Sequence, residues 1–261
     1  MKVALVQSIP VQGDTSASLA GLDRLIGNGS GADVYVLPEM FASGQFPDPS
    51  DIAETMDGPS VCWLRTKSRE LDAAVAGSVA ITENGRFANR LCFAMPDGSM
   101  ATYDKHHLFS YSGENLHFSA GNERVTVTFR GVRFLLQVCY DLRFPVFSRN
   151  RDDYDAAIYV AAWPDRRSFA WDTLLRARAI ENQAYVIGVN MTGQDQYGSY
   201  KGHSALIGPY GDTLAASPDN VESVTTGIMD MDMLTRFRTK FPALTDADLW
   251  EWLPDNGSEK L

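Results

Sequence analysis

The sequence predicts an α/β sandwich in which two mixed β-sheets each carry a helical cover. Apolar segments of strand length alternate with amphipathic helical segments in both halves of the chain, a pattern typical of parallel strands joined by helices. Hairpin signals such as Asn84-Gly85 lie between these segments, so antiparallel strands are expected in the same sheets. These patterns leave the order of the strands open.

The first half of the chain begins with a strand–helix–strand unit, which implies two parallel strands with a right-handed crossover. Its helix is capped by one of residues 14–16 and ends at the glycines of residues 27–31. The second helix begins at residues 57–60, and its Cys62 is expected to pack in the core. The strands predicted in this half are residues 2–9, 33–37, 73–81, 87–95 and 99–105.

The second half repeats the alternation of strands and helices. The helix with the clearest apolar periodicity spans residues 171–183, where Leu174, Leu175, Ala179 and Ile180 form the predicted buried face. The strands predicted in this half are residues 125–129, 132–138, 156–161, 184–189, 203–207, 213–216 and 224–229, and the other helices are residues 145–151 and 233–239.

Composition favours one globular domain, residues 1–261, in the cytoplasm. The net charge of −10 argues against a nucleic-acid partner, because no basic surface is available to neutralise phosphates. No apolar segment approaches the ~18 residues of a membrane span, and no secretion signal is recognisable. Three widely spaced cysteines fit a reducing compartment better than a disulfide framework. Because no CxxC motif or helical His pair occurs, no metal or cofactor is expected.

Residues 132–145 place a cysteine where an apolar strand turns into a helix. The strand ends at Cys139, and Pro145 opens the helix, where its missing N–H would have no partner. This layout brings one side chain out at a sheet edge and directs backbone N–H groups toward the group that it attacks. A free cysteine is more commonly buried and inert, so this stretch alone supports a nucleophile and a core residue equally.

Two charged residues also follow predicted strands. Glu39 lies in the segment LPEMF and Lys105 in YDKHHLF; each alone is more commonly a solvated loop residue. Together with QVCYDLRFP, which contains Cys139, these segments resemble the motifs of the nitrilase, or carbon–nitrogen hydrolase, superfamily, and each carries one member of its Glu-Lys-Cys triad. Gly113-Glu114-Asn115 falls where that family has a second active-site glutamate.

The resemblance covers nearly the whole chain and is greatest to the ω-amidase, or 2-oxoglutaramate amidase, branch. Those enzymes hydrolyse the terminal amide of short 2-oxo dicarboxylic acid monoamides. The resemblance implies a four-layer αββα sandwich and a homodimer in which the C-terminal tail, residues 241–261, reaches the partner. The apolar residues of this tail are Leu249, Trp250, Trp252 and Leu253. Packing of the tail on its own subunit remains the alternative.

The resemblance also implies roles for the motif residues. Cys139 would attack the amide carbonyl while Glu39 accepts its proton, and Lys105 with the backbone N–H of Tyr140 would stabilise the oxyanion. Ammonia would leave as a thioester forms, and water activated by Glu39 would hydrolyse it. Glu114 would orient Lys105 or position the substrate amide.

The substrate is less closely defined by the sequence. A carboxylate-bearing amide needs a cation near the nucleophile, and Arg143 and Arg166 are the candidates because a guanidinium group binds a carboxylate in a bidentate manner. The alternative is that Arg143 pairs with Asp141, and that Arg166 pairs with Asp165 or lies on a solvent face. The aromatic residues that would wall the pocket, unless they belong to the core, are Phe41, Tyr111, Tyr140 and Trp163.

Three other functions share these motifs. An N-carbamoyl amide hydrolase and a nitrilase would use the same triad, and a catalytically silent binding protein could retain the fold. The presence of all four polar motif residues argues against the silent protein.

Overall fold

The computed structural model describes residues 1–27, 29–46 and 48–248. These residues form two six-stranded sheets, a separate two-stranded hairpin and five α-helices. The helices are α1 (Thr15–Ile26), α2 (Pro59–Leu71), α3 (Pro145–Ser148), α4 (Ser168–Asn182) and α5 (Met231–Lys240). The strands are β1 (Lys2–Gln7), β2 (Val34–Val36), β3 (Ala74–Glu83), β4 (Arg86–Ala94), β5 (Met100–Asp104), β6 (Thr126–Phe129), β7 (Val132–Val138), β8 (Ala156–Ala161), β9 (Tyr185–Asn190), β10 (Thr192–Asp195), β11 (Gly198–Lys201), β12 (Ala205–Ile207), β13 (Thr213–Ala216) and β14 (Ser223–Ile228).

Each six-stranded sheet is built around three parallel strands. The first sheet has the order β14-β1-β2-β3-β4-β5, in which β1, β2 and β3 are parallel. The second has the order β13-β12-β9-β8-β7-β6, in which β7, β8 and β9 are parallel. In both, one antiparallel strand flanks the parallel strands on one side and an antiparallel pair flanks them on the other. Both sheets are therefore mixed, as the sequence predicts.

The two sheets pack face to face and enclose the largest apolar core. On β1, Val3 and Leu5 belong to this central core, whereas Ala4 and Val6 belong to the cluster beneath α1 and α2. This alternation follows from the two-residue period of a strand. On the outer face of the second sheet, α4 packs through its buried Trp171. The order helix, sheet, sheet, helix confirms the predicted four-layer αββα sandwich.

The carboxyl ends of parallel strands from both sheets meet at one edge of the sandwich. The backbone N–H of Glu39, just after β2, donates to the carbonyl of Ala161 at the end of β8 (3.4 Å). Ligands of open α/β sheets bind beyond the carboxyl ends of the strands. This edge is therefore where a functional site is expected. No helix in the described part of the chain has the length and apolarity needed to cross a membrane.

The prediction that Cys62 packs in the core is wrong. Cys62 is exposed, because the buried side of α2 is formed by Val61, Leu64 and two serines. Neighbouring positions on a helix point in directions about 100° apart, so burial of Val61 turns Cys62 toward solvent. Cys92, on β4, is buried as predicted.

The apolar face predicted for the second long helix is also partly wrong. Leu175 and Ala179 are buried, but Ile180 is 54% exposed. The buried face of α4 instead includes Arg178 and Asn182, whose side chains bond to neighbouring loops. Hydrophobic periodicity cannot identify such positions, because a polar side chain is buried only where specific partners meet it.

A matched pair of alanine substitutions on α4 tests this placement. Leu175→Ala is expected to lower the free energy of unfolding by about 2–5 kcal/mol, because it removes a fully buried side chain. Ile180→Ala should cost less than about 1 kcal/mol, because much of its side chain is already in water. Urea denaturation followed by circular dichroism measures both. Equal losses would contradict the assignment of the buried face.

Candidate active site

Cys139 lies where β7 ends and the chain turns sharply. It opens a turn of 3₁₀-helix, Cys139–Arg143, and its φ of +46° lies in the left-handed region that residues other than glycine rarely adopt. The backbone N–H of Val138 donates to the carboxylate of Asp141 (2.9 Å) and closes the turn. The predicted strand–cysteine–turn arrangement is present, and Cys139 lines a cavity of 320 Å³.

The carboxylate of Asp141 ties this turn to the loop that follows Lys105. It is fully buried and also accepts hydrogen bonds from the Tyr103 hydroxyl (2.8 Å) and the backbone N–H of His107 (2.9 Å). Nδ1 of His107 lies 2.8 Å from the same carboxylate. A buried carboxylate needs several such donors to offset its lost hydration. Asp141 therefore holds two distant segments of the site together.

Glu39 is buried between the two sheets, with 3% of its surface exposed. Its Oε2 accepts a hydrogen bond from the backbone N–H of Ala162, just after β8 (2.9 Å). Its Oε1 accepts hydrogen bonds from Nδ2 of Asn89 (2.7 Å) and from Nζ of Lys105 (2.9 Å). The carboxylate is thus held in one orientation by donors from three separate strands.

Lys105 lies between two carboxylates and is almost completely buried. Beside its contact with Glu39, its Nζ lies 2.9 Å and 3.0 Å from the two carboxylate oxygens of Glu114. Glu114 is held in turn by the backbone N–H of Phe109 (2.6 Å) and by Nδ2 of Asn89 (3.2 Å). Burial opposes the charged ammonium, but the carboxylates of Glu114 and Glu39 outweigh it and raise the pKa of Lys105 well above its usual value. The ammonium is therefore charged in the resting protein.

The thiol of Cys139 is protonated in the resting site. Burial and the neighbouring carboxylate of Glu39 raise its pKa well above the usual value, and Lys105 with the backbone N–H of Ala162 offsets only part of this rise. A positive neighbour alone therefore does not produce a thiolate here. To act as a nucleophile, such a sulfur would need a base that takes its proton as it attacks. The carboxylate of Glu39 is the acidic group that acts on this thiol.

Most of the residues that the sequence predicts for the site lie around the cavity. Phe41 does not, because it is fully buried in the cluster beneath the helices, with its ring centroid 5.9 Å from that of Trp63. Its predicted role as a pocket wall is wrong. The predicted residues that line the cavity are Glu39, Lys105, Tyr111, Glu114, Cys139, Tyr140, Arg143, Trp163 and Arg166.

Within the described residues, neither Arg143 nor Arg166 pairs with the acid named as its alternative, but Arg166 is exposed, which agrees with the solvent-face alternative. The Asp141 carboxylate is engaged by the groups given above. Within the described ranges, neither guanidinium forms an ion pair; that of Arg143 lies over the indole of Trp163 at 4.9 Å from the ring centroid. Both cations therefore remain available to an anion in the cavity.

Several residues of the site were not predicted from the sequence. Asn89, which bonds both carboxylates, is a buried polar residue within β4; because this strand also contains Arg86 and Arg90, its sequence gives no distinct signal for Asn89. Arg167 lines the cavity beside Arg166. The β10–β11 hairpin was also not predicted, and it contributes Tyr197 and Tyr200 to the cavity wall.

Comparison with known proteins assigns the family. Residues 2–239 match the carbon–nitrogen hydrolase family. The chain belongs to this family. This carbon–nitrogen hydrolase is 44% identical over 254 residues to omega-amidase YafV of Escherichia coli strain K12, which covers 96% of this chain and 99% of the relative. It is 36% identical over 249 residues to 2-oxoglutaramate amidase of Paenarthrobacter nicotinovorans, and the match covers 89% of this chain and 84% of that relative.

A solved structure agrees with this assignment. XC1258 from Xanthomonas campestris, a CN-hydrolase superfamily protein with an arsenic adduct in the active site, matches the fold with a TM-score of 0.91 and 41% identity, over 97% of this chain and 98% of that one. The family and the amidases among its relatives make the chain a hydrolase of carbon–nitrogen bonds other than peptide bonds.

Charge substitutions beside the thiol test the electrostatics of the site. Glu39→Gln removes the negative charge that opposes ionisation, so the pKa of Cys139 should fall, and Lys105→Met should raise it. Ultraviolet absorbance of the thiolate across a pH titration measures both. The titrations are carried out in a protein that carries Cys62→Ser, and the absorbance of the same protein with Cys139→Ala is subtracted. Burial raises the pKa of Cys92 to about 12, so the Cys92 thiol adds little signal. A rise in the pKa of Cys139 with Glu39→Gln would contradict the arrangement.

Proposed function

We propose that this hydrolase is a cysteine-dependent ω-amidase, which releases ammonia from the terminal amide of a small carboxylate-bearing substrate. The observation that carries the proposal is the convergence of Cys139, Glu39 and Lys105 on one cavity that also contains arginines without an ion pair among the described residues. The volume of 320 Å³ lies at the small end of ligand pockets. The names of the two relatives support the same substrate class.

In the first half of the proposed reaction, the sulfur of Cys139 attacks the amide carbonyl carbon and Glu39 takes the thiol proton. The carbonyl oxygen becomes an oxyanion, which the ammonium of Lys105 and the backbone N–H of Tyr140 stabilise. The N–H of Tyr140 lies in the first turn of a 3₁₀-helix, where it has no intrahelical acceptor. Glu39 then returns the proton to the leaving nitrogen, the carbon–nitrogen bond breaks, and ammonia leaves a thioester behind.

In the second half, water attacks the thioester carbonyl while Glu39 accepts its proton. The carbon–sulfur bond breaks, the carboxylic acid product is released, and Cys139 regains a proton from Glu39. The carboxylate of Glu39 thus acts as a general base in one step and as a general acid in the next, so it transfers a single proton back and forth. Glu114 and Asn89 fix Lys105 and Glu39 in the required orientation.

An ammonia-release assay over a panel of small amides tests this function. Hydrolysis of 2-oxoglutaramate and succinamate is expected, with much slower turnover of N-carbamoyl amino acids and nitriles. Cys139→Ala should abolish it, because no other thiol lies in the cavity. Cys62→Ser is the matched control, since Cys62 is exposed on α2, and should retain full activity. Activity that survives Cys139→Ala would end the proposal.

We also propose that the enzyme is a cytoplasmic homodimer composed of a single domain, residues 1–261. The described cysteines are free, which is compatible with a reducing compartment. At the start of the tail, the Gln183 side chain donates to the carbonyl of Phe241 (2.7 Å), so residue 241 packs on its own subunit. The apolar residues Leu249, Trp250, Trp252 and Leu253 lie outside the described residues.

Light scattering in solution tests the dimer. The full chain should have twice the mass of one chain, and removal of residues 249–261 should lower the measured mass toward that of a monomer. A monomeric full chain would contradict the dimer.

A further inference from the structure

Three arginines line the cavity beside Cys139 without an acidic partner. Arg143, Arg166 and Arg167 form no ion pair with an acid in the described ranges, although the chain has 33 acidic residues and 23 Lys and Arg residues. Five other buried or partly buried arginines have carboxylate partners, whereas two partly buried ones, Arg65 and Arg149, form no ion pair in the described ranges. The five with partners are Arg90, Arg124, Arg133, Arg178 and Arg238. Unpaired cations in a partly desolvated cavity favour an anionic ligand.

The three arginines differ in how much an anion would gain from each. Arg166 is exposed, so a carboxylate bound to it would stay hydrated and the contact would contribute little. Arg143 is partly buried, but its charge already lies over the π face of Trp163 at 4.9 Å. Arg167 is partly buried and lies over Phe109, at 5.1 Å from a ring with a weaker attraction for cations than indole.

The backbone of Arg167 is held by two hydrogen bonds. Its N–H donates to the carbonyl of Pro164 (2.9 Å), and its carbonyl accepts the indole N–H of Trp163 (2.9 Å). The side chain of Asn190 fixes Trp163 in turn. Its amide oxygen accepts a hydrogen bond from the backbone N–H of Trp163 (2.7 Å), and its amide nitrogen donates to the carbonyl of Trp163 (2.9 Å). The backbone that carries the guanidinium is therefore fixed before a ligand binds.

Electrostatics at Arg167 agree with this placement. Burial and the like charges of Arg166 and Arg143 lower its pKa. A bound carboxylate would offset both unfavourable contributions. Arg167 and Cys139 line the same cavity, so one small molecule can reach both groups.

We propose that Arg167 binds the carboxylate of the substrate and so selects monoamides of dicarboxylic acids over neutral amides. The assignment rests on the amidase function proposed above. The guanidinium would take the two carboxylate oxygens in a bidentate pair, while the amide at the other end of the substrate lies against Cys139. Arg143 adds favourable charge in the same cavity, and Arg166 attracts the substrate from solvent.

Two substrates of matched length test the assignment. Succinamate and butyramide have the same carbon chain, and a methyl group in butyramide replaces the carboxylate of succinamate. Arg167→Gln should lower kcat/KM for succinamate about 10- to 100-fold, mainly through KM, because a charged hydrogen bond is lost. It should change kcat/KM for butyramide less than about 2-fold. The competitive inhibition constant of succinate should rise in parallel.

Two further variants sharpen the test. Arg167→Lys keeps the charge but loses the planar fork, so it should retain only part of the selectivity. Arg86→Gln, at an exposed site at the start of β4, is the matched control and should behave as wild type. Selectivity that depends on Arg143 instead of Arg167, or equal losses on both substrates, would overturn the assignment.

The outcome for the unmodified enzyme separates this inference from the proposed function. If the wild type hydrolyses succinamate no better than butyramide, the proposed substrate class is wrong and the assignment falls with it. If the wild type prefers succinamate and Arg167→Gln keeps that preference, the amidase function stands and the role of Arg167 is overturned.

Discussion

The site depends on one buried ammonium group held between two carboxylates. Nζ of Lys105 lies within 3.0 Å of oxygens from both Glu39 and Glu114, and Asn89 donates to the same two side chains. Burial of three charges without these contacts would be prohibitively unfavourable, since each ion loses its hydration. The cluster therefore persists only if β2, β4 and β5 of the first sheet keep their relative positions. The exact arrangement of these strands is in this sense a requirement of the charges at their ends.

That requirement explains why so many backbone groups at the sheet edge bond to side chains. Ala162 donates to Glu39, Phe109 donates to Glu114, and Asp141 receives donors from the segment after Lys105 and from the end of β7. Each contact joins loops that are distant in sequence. Charged hydrogen bonds of this kind are stronger than neutral ones and restrict geometry closely. The reacting groups are consequently positioned before a substrate arrives, which is the condition for efficient electrostatic catalysis.

Much of this organisation could be predicted from the sequence, because it depends on local patterns. Strand ends at Glu39 and Cys139 are visible as apolar runs that stop at a polar residue, and the four-layer order follows from the resemblance that these motifs carry. What could not be predicted depends on contacts between distant segments. Arg167 is one more charged loop residue until the fold brings it to the cavity, and Phe41 differs from a pocket residue only in the direction of its ring. Ile180 was misplaced because polar partners decided which side of α4 is buried.

The protonated state of Cys139 also affects how the protein withstands oxidants. Peroxides attack the thiolate form of cysteine and carry it through sulfenic acid to irreversible products, so a sulfur that keeps its proton between turnovers is poorly susceptible. A permanent thiolate would be more susceptible to this oxidation. In the proposed reaction, the anion of Cys139 forms only while a bound amide is attacked, so oxidative damage would be confined to that brief interval.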